Sequence, residues 1–78
     1  MYYVYILKLI DDSYYIGYSS NLRNRIKVHN EGSVESTKKL RPANLIYYSA
    51  FISQKKATDF EKYLKTNSGF AFRNKRLI

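Results

Sequence analysis

The chain has 78 residues, enough for about one small domain over residues 1–78 with a compact core. It contains no cysteine and a single histidine, which excludes disulfides, thiolate metal sites and an all-histidine metal cage. Fourteen basic against six acidic residues leave a net charge of +8, an excess that favours nucleic acid as the partner. No apolar run approaches the roughly 20 residues that span a bilayer, so we expect a soluble, cytoplasmic protein with no membrane partner.

The first part of the chain predicts a β-hairpin followed by a helix. We predict a strand at 2–10, a turn at 11–13, a second strand at about 14–18 and a helix at about 22–30. The first strand carries apolar residues on both faces, which indicates a central position in the sheet. Residues 19–21 offer side-chain oxygens that can cap the helix, and Gly32 ends it.

The second part predicts one more strand and two more helical segments. We predict an irregular basic loop at 31–43, a strand at 44–51, a helix at about 54–65 and a short last helix or turn packed by its apolar side at 70–78. Ser53 can cap the second helix, and residues 67–69 end it. A loop this long is usually functional or mobile. The predicted fold is therefore α/β (α+β): a three-stranded antiparallel sheet flanked by helices, in the order β-β-α-β-α-α.

Three polar side chains lie on the predicted buried faces of the helices. In the first helix, Arg25 and His29 fall in the same stripe as the apolar residues, at about 100° per residue. In the second helix, Glu61 falls within the apolar stripe, whereas Asp59 does not. Because a lone buried charge is costly, each of these groups needs a partner or a ligand.

These side chains have a structural and a functional interpretation. In the structural one, Arg25 and Glu61 form a partly buried ion pair with His29 beside it. In the functional one, Glu61 holds a metal ion, since the other five acidic residues are placed in turns, in the long loop or on the outer helix face. A single carboxylate suits Mg²⁺, which keeps several waters and takes further ligands from substrate phosphates.

The order of the motifs resembles the GIY-YIG nuclease family over essentially the whole chain. Tyr3-Val4-Tyr5 stands for the first motif and Tyr15-Ile16-Gly17 for the second, and both precede Arg25 and a helical glutamate. Arg25 follows Tyr15 by ten residues, as in that family, and His29 completes an Arg-x-x-x-His helix. The chain looks most like the short stand-alone members related to the nuclease domain of the excision-repair endonuclease.

Two positions depart from the family pattern, and a third element has two candidates. The first motif lacks its glycine, and Tyr18 stands where the repair endonuclease domain has a lysine, which puts a phosphate contact there in doubt. The pattern also includes a late asparagine. Asn74, thirteen residues beyond Glu61, is our candidate, with Asn67 as the competitor.

The resemblance implies a hydrolase that cleaves DNA phosphodiester bonds with one Mg²⁺ or Mn²⁺ ion, and its repair-endonuclease relatives associate it with DNA repair. Glu61 would hold the metal, and Arg25 would bind a phosphate oxygen. Tyr5 and Tyr15 would orient or deprotonate the attacking water. His29 would either take the proton directly or relay it from a tyrosine, and the sequence leaves both routes open.

Gly17 and the hairpin register carry a further structural expectation. Gly17 would allow a close backbone approach, although a turn or a bulge explains a single glycine equally well. Tyr5 and Tyr15 share a face only if the residue numbers of two directly opposed positions in the hairpin add up to an even number, or if a bulge intervenes. A two-residue turn without a bulge would separate them.

The basic residues outside the motifs are interpreted as contacts to phosphates, although a solvated surface explains any single lysine better. They lie in the loop and in the tail: Lys38, Lys39, Arg41, Arg73, Lys75 and Arg76.

Two alternatives stand beside the nuclease: a non-catalytic nucleic-acid-binding module and a small protein-interaction domain with incidental charge. Cutting two strands would require a homodimer or a partner protein.

Overall fold

Three strands and three helices follow one another in the predicted order β-β-α-β-α-α. The computed structural model describes residues 1–78, with β1 at Tyr2–Lys8, β2 at Tyr14–Ser19, α1 at Leu22–Asn30, β3 at Asn44–Phe51, α2 at Gln54–Leu64 and α3 at Asn67–Arg76. The sheet order is β2-β1-β3, and both pairings are antiparallel. The predicted fold class and the central position of β1 are therefore confirmed.

The hairpin register places the two motif tyrosines on one face of the sheet. Tyr5 lies opposite Gly17, and Leu7 lies opposite Tyr15. The opposed positions therefore sum to an even number, which is the arrangement that brings Tyr5 and Tyr15 to the same side. The turn is longer than two residues, and Asp12 adopts a left-handed backbone conformation within it, with φ of 66°.

The sheet is covered on both sides, and each side has its own apolar core. On one side α1 and the long loop pack over the buried residues Tyr5, Leu7, Leu9 and Ala43. On the other side α2 packs over Val4, Ile6, Ile16, Ala57 and Leu64. Because the side chains of β1 alternate between these two cores, the strand is apolar on both faces.

The first two helices begin and end as the sequence predicts. The Asn21 side chain accepts a hydrogen bond from the backbone of Asn24 at 3.1 Å and caps α1. Gly32 follows the end of α1 with a positive φ of 82°. Ser53 caps α2 through the backbone N–H of Lys56 at 3.2 Å. None of the three helices combines the length and the apolar character needed to cross a membrane.

The junction of α2 and α3 differs from the prediction. Residues 67–69 do not simply end a helix but form the first turn of α3, which Thr66 caps. Gly69 packs so closely against the carbonyl group of Tyr63 that no β-carbon would fit there. Of the expected apolar side, residues 70–72 are exposed, whereas Leu77 packs against the core on the α2 side, and α3 buries Gly69 and Arg73.

Candidate active site

A buried chain of hydrogen bonds joins β1, α1 and the long loop. The hydroxyl of Tyr5 lies 3.0 Å from Nε2 of His29, and Nδ1 of His29 lies 2.9 Å from Oγ1 of Thr37. The side chains of all three residues are fully buried. Each ring nitrogen therefore has a hydroxyl partner inside the protein, and neither faces solvent.

Gly17 makes room for the phenol of Tyr5. The ring of Tyr5 lies across the backbone of its strand partner, and a β-carbon at position 17 would overlap the hydroxyl and the ring carbons. Gly17 sits within β2, in regular pairing with β1, so neither a turn nor a bulge explains the glycine. The need for a close approach, one of the two explanations left by the sequence, is the one that the structure supports.

Tyr15 extends the cluster towards the surface. Its ring lies edge-on to His29 with 4.8 Å between ring centroids, and 6.3 Å from the ring of Tyr5. The side chain is partly exposed, whereas Tyr5 has no exposed surface. Of the two motif tyrosines, Tyr15 is thus the one that solvent can reach.

Arg25 lies beside the two phenols on the same side of the sheet. The hydroxyl of Tyr5, and to a smaller extent that of Tyr15, raises the pKa of the Arg25 guanidinium. The side chain is partly exposed and pairs with no carboxylate. The expected alternative, an ion pair between Arg25 and Glu61, is therefore absent from the structure.

Burial sets the protonation of the two inner groups. Desolvation raises the pKa of Tyr5 above its usual value, and the neighbouring Arg25 opposes this effect. Desolvation also lowers the pKa of His29, with a further lowering by the positive charge of Arg25. His29 is accordingly a neutral imidazole at pH 7, in which one nitrogen donates and the other accepts a hydrogen bond.

Glu61 lies on α2, and its charge reaches the tyrosine cluster. It adds to the raised pKa of Tyr5, although burial is the main cause. The side chain is 20% exposed, and Oε2 bonds Nζ of Lys65 at 3.0 Å, one helical turn away. Its other oxygen has no hydrogen bond within the protein. An exposed pair of this kind contributes only about 0.3–0.5 kcal/mol, so it is readily exchanged for another ligand.

The donor set fits a metal that binds through few protein ligands. No group of three or more histidine, aspartate or glutamate side chains is close enough to form a protein cage for an ion. A single accessible carboxylate, as Glu61 provides, is the kind of ligand that Mg²⁺ takes together with waters and substrate phosphates. Glu61 is thus the residue that could hold such an ion.

The predicted asparagines are not part of this cluster. Asn67 is exposed at the start of α3. Asn74 is also exposed, and its side-chain oxygen accepts a hydrogen bond from Nε of Arg73 at 3.2 Å. No hydrogen bond joins either asparagine to Tyr5, Tyr15, Arg25 or Glu61.

The basic residues separate into exposed ones and one buried one. Four of them are exposed and one, Lys38, is partly exposed: Lys38, Lys39, Arg41, Lys75 and Arg76. Arg73 is only 3% exposed, so the expectation that it belongs to the solvated surface of the tail is wrong. Its guanidinium lies over the ring of Phe70, 3.7 Å from the centroid, and 5.1 Å from that of Tyr14.

Thr37 is a site residue that sequence reasoning missed. It lies in the irregular segment 31–43, where no periodicity distinguishes an inward side chain from an outward one. The segment is anchored to the fold rather than detached from it: the backbone N–H of Ile10 bonds the carbonyl of Leu40 at 3.1 Å, and Ala43 is buried. The long loop therefore completes the hydrogen-bond chain of His29.

Tyr5, Tyr15 and Arg25 thus lie together on one side of the sheet, and the charge of Glu61 on α2 acts on Tyr5. A sequence profile described as the GIY-YIG catalytic domain matches residues 1–76. The chain belongs to the GIY-YIG family, whose members are endonucleases. The resemblance noted in the sequence is thereby confirmed.

The chain is also similar to small UPF0213 proteins. One from Clostridium perfringens is 42% identical over 66 residues, covering 83% of this chain and 71% of the relative. UPF0213 protein YazA of Bacillus subtilis is 38% identical over 64 residues, covering 81% of this chain and 65% of the relative. The chain thus spans about two thirds of the length of these relatives.

A solved structure supports the fold. The solution NMR structure of a UPF0213 protein from Bacillus halodurans superimposes with a TM-score of 0.61 at 30% sequence identity. The similarity covers 99% of this chain and 87% of the other chain. The arrangement of strands and helices described above is therefore shared with this UPF0213 structure.

Proposed function

We propose that this chain is a divalent-metal-dependent endonuclease that hydrolyses phosphodiester bonds in DNA. The observation that carries the proposal is the grouping of Tyr15 and Arg25 at the surface, over the buried chain from Tyr5 through His29 to Thr37. Membership of the GIY-YIG family and the net charge of +8 support it.

Arg25 is the group that would bind the scissile phosphate. Its guanidinium is always protonated and has no carboxylate partner in the protein. Paired N–H donors of this kind make short, charge-assisted bonds to phosphate oxygens. The hydroxyls of Tyr5 and Tyr15 lie near the guanidinium, and no carboxylate compensates its charge before a substrate arrives.

Tyr15 is the phenol that would orient and deprotonate the attacking water. Tyr5 has no exposed surface, and its hydroxyl is already occupied by His29, whereas Tyr15 is partly exposed. To act as the base, Tyr15 would first release its phenol proton to bulk solvent, and the phenolate oxygen would then take a proton from the attacking water beside Arg25. General-base help of this type accelerates such reactions by about 10²–10⁴-fold.

His29 would act through Tyr5 as a positioning residue. Both of its ring nitrogens are bonded to buried hydroxyls, so it has no free nitrogen for a water molecule. This arrangement favours a relay through tyrosine over direct proton uptake from water. A neutral imidazole that is hydrogen-bonded at both ring nitrogens fixes the orientation of the Tyr5 hydroxyl beside Arg25.

Glu61 would hold a single Mg²⁺ or Mn²⁺ ion. Such an ion supplies Lewis acidity that stabilises the leaving oxygen. The protein contributes one carboxylate with an oxygen free of internal bonds, and the substrate and waters would complete the ligand set. Lys65, the present partner of Glu61, is half-exposed and can move away.

The exposed basic residues would position the substrate without reading its sequence. Contacts to the phosphate backbone carry no information about bases. Lys38, Lys39, Lys75 and Arg76 supply such contacts, together with Arg41. The preferred substrate would therefore be set by the shape of the DNA, as in distorted or branched duplexes.

The test is conversion of supercoiled plasmid to the nicked form. We expect nicking by the purified protein with Mg²⁺ or Mn²⁺ and none with EDTA. Tyr15→Phe should abolish nicking, whereas Tyr14→Phe, the matched control on the same strand, should retain it. Full nicking by Tyr15→Phe would overturn the assignment of the base.

A non-catalytic nucleic-acid-binding module is the second candidate. The pairing of Glu61 with Lys65 and the separate location of Asn74 favour it. It predicts salt-sensitive DNA binding without cleavage of linear, nicked or branched DNA at any metal concentration. Binding weakened steeply between about 50 and 200 mM salt would separate it from a protein-interaction domain, which would show no such dependence.

A further inference from the structure

Arg73 is a buried cation without an anionic partner. The side chain is only 3% exposed, and no carboxylate forms an ion pair with it. Its one hydrogen bond within the protein runs from Nε to the side chain of Asn74, at 3.2 Å. The two terminal nitrogens have no hydrogen-bond partner in the protein, and neither is fully buried, so both are available to an anion.

The small exposed part of Arg73 faces a cavity at the outer edge of β2. The cavity has a volume of about 290 Å³, and Tyr15 and Lys65 line it together with Arg73. The remaining lining residues are apolar or aromatic, and no acidic residue is among them. The cavity therefore offers the charge of Arg73, which no carboxylate pairs, within mostly apolar walls, and beside it the charge of Lys65, which pairs with Glu61.

The orientation of the guanidinium is held by its neighbours. The group lies over Phe70, with 3.7 Å between Cζ and the ring centroid, and Tyr14 lies 5.1 Å away. Stacking of this kind fixes the plane of the guanidinium, while Asn74 occupies its inner N–H group. The terminal N–H groups are left in the fixed fork that recognises a planar pair of anionic oxygens.

We propose that this cavity binds a backbone phosphate of the nucleic acid, separate from the phosphate that Arg25 would bind. Tyr15 belongs both to the cavity and to the candidate active site, so a phosphate in the cavity would share this neighbour with the phosphate that Arg25 would bind. Two phosphates held at once fix the direction of the strand across Tyr15. This proposal depends on the proposed function in one respect: the phosphate is taken to come from the DNA backbone.

The test is DNA binding without metal, so that no cleavage is needed. We expect Arg73→Gln to weaken the binding of a short fluorescent duplex by roughly tenfold in EDTA. The slope of log affinity against log salt concentration should become less steep by about 1, the change expected for the loss of one phosphate contact. Arg23→Gln is the matched control, because it removes the same charge from an exposed position outside the candidate active site and the proposed phosphate contacts. Its effect should be at most about threefold.

A second measurement covers the case in which Arg73→Gln does not fold. Inorganic phosphate is titrated into the unsubstituted protein while the ¹⁵N–¹H signal of Arg73 Nε is followed by NMR. We expect a saturable shift of that signal that is absent for Arg23, and a weaker shift in Lys65→Gln.

Three results would overturn the proposal: equal losses in Arg73→Gln and Arg23→Gln, no shift of the Arg73 signal, or an equal shift of the Arg23 signal. A protein that fails to nick DNA but binds phosphate in this cavity would contradict the nuclease and leave this site intact.

Discussion

The phenol ring of Tyr5 lies directly across the backbone of Gly17, its partner on the neighbouring strand β2. This position lets the Tyr5 hydroxyl reach Nε2 of His29 at 3.0 Å while both side chains stay fully buried. The two motifs therefore support each other physically. The glycine of the second motif creates the space that the tyrosine of the first motif fills.

Replacing Gly17 by alanine should disrupt this arrangement. The added methyl group would overlap the Tyr5 ring, so the phenol would have to leave its position and its bond to His29. We expect the free energy of unfolding to fall by about 1–3 kcal/mol, as is usual for overpacking. We also expect cleavage to be lost. Urea denaturation and plasmid nicking measure the two effects, and a variant that matches the unsubstituted protein in both would show that the ring is not held against the strand.

Thr37 should matter for the protein although it has no charge. Thr37→Val keeps the shape but removes the hydroxyl that bonds Nδ1 of His29. We expect a loss of about 1–3 kcal/mol in the free energy of unfolding, because a buried imidazole nitrogen is left without a partner. Nicking should also slow, since His29 no longer fixes Tyr5.

Thr37→Ser is the control for that substitution, because it retains the hydroxyl. Its stability should lie closer to that of the unsubstituted protein, and its nicking rate should be largely kept. Equal behaviour of the valine and serine variants would mean that the hydrogen bond contributes nothing.

The stability of the protein should depend on His29 between neutral and mildly acidic pH. Burial and Arg25 lower the pKa of His29 in the folded state, so the unfolded chain takes up the proton first as the pH falls. The contribution to stability is complete above the unfolded pKa of about 6.5 and is lost as the pH falls through the folded pKa. The slope is at most about 1.4 kcal/mol per pH unit.

Because the chain has one histidine, NMR can follow it without ambiguity. The ring C–H signal should titrate with a midpoint below 6.5, the usual pKa of histidine. His29→Gln should remove the loss of stability in this range. Asp11 and Asp59 also have lowered pKa values, but their effects appear only at lower pH, below the usual aspartate pKa of 3.8. A histidine midpoint at or above 6.5 would contradict the buried, neutral imidazole.

The sequence predicts the elements and the faces well where periodicity is strong. The bounds of α1 and β3 agree with the prediction, and the inward placement of Arg25, His29 and Glu61 follows from helical spacing alone. The sequence also states which hairpin registers place Tyr5 and Tyr15 on one face, and the observed register is one of them. Local patterns of this kind survive in the fold because the same residues build the core.

Two features could not be predicted, and both depend on contacts between distant segments. Thr37 lies in an aperiodic loop, so nothing in the sequence separates it from its exposed neighbours. Arg73 lies among basic residues of a tail that looks solvated, yet it is buried by packing against Tyr14 and Phe70. Apolar residues near it are exposed because the close approach of Gly69 to α2 decides which face of α3 packs.

The most direct test of the account compares Glu61→Gln with Asp59→Asn in Mg²⁺-dependent plasmid nicking. The two residues lie on the same helix, each pairs with a lysine four residues away, and only Glu61 lies on the inward side. We predict that Glu61→Gln abolishes nicking while its thermal stability stays close to that of the unsubstituted protein, and that Asp59→Asn nicks at the normal rate. Nicking that persists in Glu61→Gln, or that is lost equally in both variants, would contradict the role of Glu61 as the metal ligand.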